Sequence, residues 1–145
     1  MKTITKTLGI AALGAWGSMA HAADDLTLQL KWVTQAQFAG YYVALDQGFY
    51  EEEDLNVTIK PGGPDIAPVQ VLLGGGADVM VDWGPSALAA REKGAPIVNI
   101  AQPFASSGLM LTCLKEHNIN SPEDFPGKTL GTWFFGNEIP LLSWM

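Results

Sequence analysis

The chain has 145 residues, with 15 acidic side chains against eight basic ones and a net charge of −7 when the histidines are neutral. That length allows one modest domain or one and a fraction. The acidic balance argues against nucleic acid and against an anionic membrane surface as partners, and the single cysteine, Cys113, excludes an internal disulfide.

Lys2 and Lys6 make a basic start, Leu8 to Ala20 is small and apolar, and Ala20-His21-Ala22 has a small-x-small pattern. This predicts a secretory signal over residues 1–22, cleaved after Ala22, and hence a periplasmic location; a retained N-terminal anchor is the alternative. The apolar stretch is too short to span a membrane, and no other run reaches the roughly 18 apolar residues a spanning helix needs. Without residues 1–22, six basic residues face 15 acidic ones, a net charge of −9.

Leu26, Leu28, Leu30 and Trp32 alternate with Thr27, Gln29 and Lys31, the period of a strand with one apolar face. Val33 to Phe38 places Thr34, Gln35 and Gln37 in a turn beyond it. From Ala39 the spacing of Phe38, Tyr42 and Leu45 is that of one helix face, and Gly48 stands where a glycine would close the helix. Glu51 to Asp54 reads as a solvated acidic edge. Asn56 to Lys60 is a β-branched strand stopped by Pro61-Gly62-Gly63-Pro64.

Asp65 is then placed to cap a helix through Ile66, Val69, Val71 and Leu72 that Gly74-Gly75-Gly76 ends. Asp78 to Trp83 predicts a compact strand covered on both faces. Gly84-Pro85-Ser86 leads into a helix over 87–93 stopped by Gly94, and 97–101 predicts the next strand. Further on, 108–114 and 128–133 read as strands. Ser121-Pro122-Glu123-Asp124 reads as a helix start, and Gly136-Asn137-Glu138 opens one more helix, with Pro140 in its first turn. The fold class is therefore α/β, with a parallel sheet built from βαβ units. The uncapped apolar Leu141, Leu142 and Trp144 suggest a chain that stops inside a helix, one full lobe plus the start of another.

Catalytic motifs are scarce. After removal of the signal His117 is the sole histidine, and one His with one Cys cannot assemble a structural zinc site. Cys113 and His117 at i, i+4 could form a nucleophilic pair, but a strand and the turn after it are expected to separate them. No Walker, G-x-S-x-G or G-x-G-x-x-G pattern occurs. No metal and no cofactor is implied.

The positive signal lies at the strand ends. Trp32 to Gln37, Pro61 to Asp65, Asp82 to Ser86 and Trp133 to Glu138 each follow a predicted strand. In a parallel sheet those ends share one edge and converge on one crevice. Its predicted wall is aromatic (Trp32, Tyr41, Trp83, Trp133) and its polar groups are Gln35, Gln37, Asp82, Ser86, Asn137 and Glu138. Aromatic faces suit a planar ring, and amides and acids suit its nitrogens and amino group. Trp32 and Trp83 serve equally well as core anchors, Asp82 as a helix cap, Gln35 and Gln37 as solvated loop residues, and one of Phe134 and Phe135 as core. Lysine and arginine are scarce there apart from Lys60, which favours neutral or cationic heterocycles over anions.

The stretches WVTQAQFAGYYVALDQGFYEEEDLNVTI, PGGPD, GGGADVMVDWGPSALAAREKGAPIVNIAQ and SPEDFPGKTLGTW together resemble ABC-transporter solute-binding proteins of the thiamine-pyrimidine-precursor, sulfonate and nitrate group. The resemblance implies a type II periplasmic-binding-protein-like fold of two lobes with mostly parallel sheets. Residues 23–105 would form lobe one and 106–145 the start of an incomplete lobe two. It also implies a small-molecule ligand, an ABC permease as partner, a monomer when complete, and no enzyme activity. Trp32 would stack on a pyrimidine, Gln35 and Gln37 would sit at its polar edge, and Asp82 would meet an amino group. The related eukaryotic members are pyrimidine-precursor synthases with a histidine where Ser86 stands, a departure that weighs against synthase chemistry. A sulfonate or nitrate binder is the remaining alternative.

Overall fold

In the computed structural model, residues 22–145 are described. The signal expected over residues 1–22 thus lies, apart from Ala22, outside them. Three parallel strands form the sheet: β1 (Asp24–Gln29), β2 (Leu55–Lys60) and β3 (Val79–Met80), in the order β2-β1-β3. Leu26 pairs with Val57 and Leu28 with both Ile59 and Val79, so β1 is the central strand. Parallel neighbours require crossovers, and helices supply them. A 3₁₀ turn at Ala36–Phe38 and α1 (Ala39–Asp46) link β1 to β2, and α2 (Pro68–Leu73) links β2 to β3. After β3 comes α3 (Gly84–Glu92), and near the end α4 (Glu138–Leu142).

The core is small. Leu28, Leu30, Phe38 and Val57 are buried together, with Trp32, Tyr41 and Tyr42 packed half-buried against them. Phe38 anchors the α1 side as its spacing with Tyr42 predicted, and Gly48 closes that helix at φ +78°. The solvated acidic edge is exposed as expected, forming a 3₁₀ turn at Glu51–Glu53.

Gln29 departs from the alternation. It stands on the face read as polar, yet only 3 % of it is exposed. Its amide donates to the carbonyls of Leu30 (3.0 Å) and Pro61 (3.1 Å), which satisfies the buried group. A central parallel strand is covered on both faces, so polar residues along it point into structure and not into water.

Several expected elements take another form. Asp65 does not cap α2: the helix begins at Pro68 with Ala67 as its cap, because proline's fixed φ and missing N–H suit the first helical position. The strand expected over 78–83 shortens to Val79–Met80, although the Val81 amide still donates to the Gln29 carbonyl at 2.8 Å. The segments 97–101, 108–114 and 128–133 form no strand. Val98 and Ile100 are 74 % and 73 % exposed and Met110 84 %. Apolar, β-branched runs become strands only with a ladder partner, and among the described residues the sheet ends at β3.

Ser121 and Asp124 form a capping box around a short 3₁₀ turn, Pro122–Asp124. The backbone amides of Asn120 (2.8 Å) and Ser121 (3.2 Å) donate to the Asp124 carboxylate and hold it below the usual carboxylate range. A folded pKa below the unfolded one means the cap's contribution is complete above the unfolded value. It is lost as pH falls through the folded value. The amide proton shifts of Asn120 and Ser121 should therefore titrate together, with a midpoint below that of a free aspartate. A midpoint at or above the free value contradicts the cap.

Candidate functional site

The loops after β1 and β3 meet the segment before α4 at the carboxyl edge of the sheet. Past β1, the Leu30 amide still donates to the Lys60 carbonyl (2.8 Å) and the Gly62 amide to the Trp32 carbonyl (2.9 Å). Gly62 makes this possible, since a Cβ there would run into the backbone of Leu30 and Lys31. The glycine turn is thereby pressed against Lys31 and Trp32, which fixes where both side chains emerge.

From the other side come Trp133 to Asn137. Phe135 and Gly136 are both left-handed, at φ +68° and +100°. A Cβ on Gly136 would overlap Ser86 Oγ and approach the Trp83 ring. This loop can lie on the start of α3 only with glycine at that position. Inside it, the Asn137 side chain donates to the Phe134 carbonyl (3.0 Å), and the Gly136 amide donates to the Glu138 carboxylate (2.8 Å).

Between these loops is a hollow of about 320 Å³. Trp32, Trp83 and Trp133 wall it with Phe135, and Gln37, Asn137 and Lys31 complete a lining whose surface is almost wholly apolar. Trp32 and Trp133 meet edge to face, their centroids 6.3 Å apart at 86°, a favoured aromatic geometry. A second hollow of about 740 Å³ adjoins it between α2, α3 and α4. Asp82, Ser86 and Glu138 line that one, and Lys31 and Phe135 border both. The Ser86 hydroxyl is buried there with no hydrogen-bond partner among the described residues.

Eight of the ten predicted site residues therefore border one or the other hollow. Gln35 and Tyr41 border neither: Gln35 is an exposed cap of the first 3₁₀ turn, and Tyr41 packs against the core. Burial raises the Tyr41 hydroxyl above its ordinary value; Tyr50 is raised by burial and then by Tyr41. Neither Phe134 nor Phe135 is core, being 67 % and 56 % exposed. Cys113 gives its thiol to the Ile119 carbonyl (3.4 Å) and not to His117.

Lys31 is the residue that sequence reasoning missed. Its ammonium stands 2.7 Å from Asp82 Oδ1, with only 13 % of the Lys31 side chain and 4 % of the Asp82 side chain exposed. The same oxygen accepts the Trp83 amide at 2.7 Å. Asp82 is thus not an unpaired buried carboxylate, and the cap residue of α3 is not Asp82 but Trp83, whose own side chain makes no capping hydrogen bond. The scarcity of cations inferred for this edge is corrected accordingly. The signal was a lysine directly before Trp32, on the face where Gln29 is also buried.

Parallel strands joined by helices, with an aromatic hollow at their carboxyl ends, define an α/β protein with a crevice at one edge of its sheet. The chain belongs to the NMT1/THI5-like family, whose profile matches residues 35–145. It is 29 % identical over 111 residues to a formylaminopyrimidine-binding protein of Halalkalibacterium halodurans, covering 77 % of this chain and 34 % of that protein. It is 34 % identical over 119 residues to a 4-amino-5-hydroxymethyl-2-methylpyrimidine phosphate synthase of Legionella pneumophila, covering 79 % and 36 %. The synthase of the same name from Schizosaccharomyces pombe is 29 % identical over 115 residues, covering 76 % and 32 %. The chain thus spans about a third of the length of these relatives.

Proposed function

We propose that this chain is the ligand-gripping part of a solute-binding protein that delivers a small nitrogen heterocycle, such as a thiamine pyrimidine precursor, to an ABC permease. In this reading residues 1–22 direct export to the periplasm. Residues 23–105 build one lobe, residues 106 onward begin a second, and closure of the two excludes water. The observation that carries it is the meeting of Trp32, Trp83 and Trp133 around one hollow, with Gln37 and Asn137 on its border. Indole faces stack on a planar ring, and amides donate to and accept from its edge. The formylaminopyrimidine-binding relative supports the same ligand class.

Titration calorimetry against 4-aminopyrimidines, taurine-like sulfonates and nitrate tests it. The pyrimidines are expected to bind reversibly and unchanged, and binding of an anion alone would remove the heterocycle reading. Trp32→Ala should weaken pyrimidine binding by about 1–3 kcal/mol, the range for a base stacked on an aromatic side chain. Unaltered affinity would return Trp32 to a purely structural role.

A second reading, a pyrimidine-precursor synthase, is favoured by the names of two relatives. Product formation during incubation distinguishes it from a binder. A serine at position 86, where the synthases resembled have histidine, argues against it.

A further inference from the structure

Among the described residues, the hollow walled by three tryptophans has one titratable side chain on its lining, Lys31. Standing alone, that ammonium would make it an anion site. Asp82 lies behind it at 2.7 Å and is nearly sealed from solvent, so the two charges cancel where the ligand would rest. The other charged groups nearby, Asp65, Lys93 and Glu138, border only the larger hollow, and Glu138 is engaged by the Gly136 amide.

Building on the heterocycle reading, we infer that Lys31 is a specificity-determining residue: paired with Asp82, it keeps the floor of the hollow electrically neutral and selects uncharged planar ligands over cationic and anionic ones of the same shape. The pair is then more than a structural tie. Either partner alone would bias the site toward one sign of charge, because an uncompensated charge in a half-enclosed aromatic hollow is poorly screened. Both together reject both signs, since a charged guest gives up its hydration and meets no net countercharge.

Benzamide, benzamidine and benzoate are planar, close in shape, and respectively neutral, cationic and anionic at neutral pH. Their ability to displace 4-aminopyrimidine from the full chain, measured by calorimetry, reads the selectivity directly. The wild type is expected to rank benzamide first. Lys31→Gln should shift the benzamidine-to-benzamide ratio by about tenfold or more toward the cation, and Asp82→Asn should shift the benzoate-to-benzamide ratio as far toward the anion. A merely structural pair would weaken all three probes alike. Unchanged ratios in the folded variants, or a wild type that already ranks a charged probe first, would overturn the inference. Circular dichroism establishes folding: if one variant fails to fold, the other decides, and if both fail, the wild-type ranking does. Failure of the wild type to bind 4-aminopyrimidine would count against the proposed ligand class. The probe ranking, read by direct titration, would still judge Lys31.

Discussion

Leu30→Ala is expected to lower the stability of the chain by about 3–5 kcal/mol, the range for truncating a fully buried leucine that leaves a cavity. Leu30 is 0 % exposed and lies with Leu28, Phe38 and Val57 at the centre of the core. Its amide also donates to the Lys60 carbonyl at 2.8 Å, so it joins β1 to β2 where the regular ladder ends. Alanine keeps the amide and removes the side chain, and a core this small has few other side chains that can move in to fill the space. Urea unfolding followed by far-ultraviolet circular dichroism measures the change. A loss under about 1 kcal/mol would mean that the site collapses freely and that Leu30 is not the packing centre.

Asp82→Ala is expected to cost a comparable amount, about 3–5 kcal/mol, because it leaves the Lys31 ammonium largely buried without its partner. The exposures of the two side chains, 13 % and 4 %, leave little room for water to replace the lost carboxylate. The Trp83 amide would lose its acceptor as well. The double replacement Lys31→Met with Asp82→Leu should recover most of that stability, since a buried ion pair exchanged for apolar side chains of similar volume is often neutral or better. The double variant leaves no net charge beside the hollow, so its preference for uncharged probes should return together with its stability. Urea unfolding of the three variants gives the coupling between the two positions. A double variant no more stable than Asp82→Ala alone would show that shape, and not the unpaired charge, sets the cost.

How much of this was legible beforehand differs by region. From Leu26 to Gly94, alternation, β-branching and glycine or proline stops agree with one another, and strands and helices appear in the expected order. Beyond Gly94 the patterns at 97–101, 108–114 and 128–133 were equally apolar, yet no strand forms. A strand is a property of two neighbouring segments and cannot be read from one. The short motif Ser121 to Asp124 depends only on local hydrogen bonds, and it appears as a cap and turn, although a 3₁₀ turn replaces the start of a helix.

The site divides along the same line. The presence of Trp32, Trp83, Trp133 and Asn137 at loop positions after predicted strands was readable, because the carboxyl edge of a parallel sheet gathers whatever follows its strands. That Trp133 reaches the hollow without a strand before it was not readable. It follows from the left-handed Phe135-Gly136 turn seated on Ser86.

By itself, then, the order of residues determined the α/β class, the two crossovers that join the three strands and the aromatic character of the crevice, because each of these follows from local periodicity and composition. Tertiary structure alone decided that Gln29 faces inward, that Gln35 and Tyr41 stand aside, and that Lys31 neutralises Asp82. Those are outcomes of which surfaces the chain covers, and burial is set by neighbours far away along the sequence.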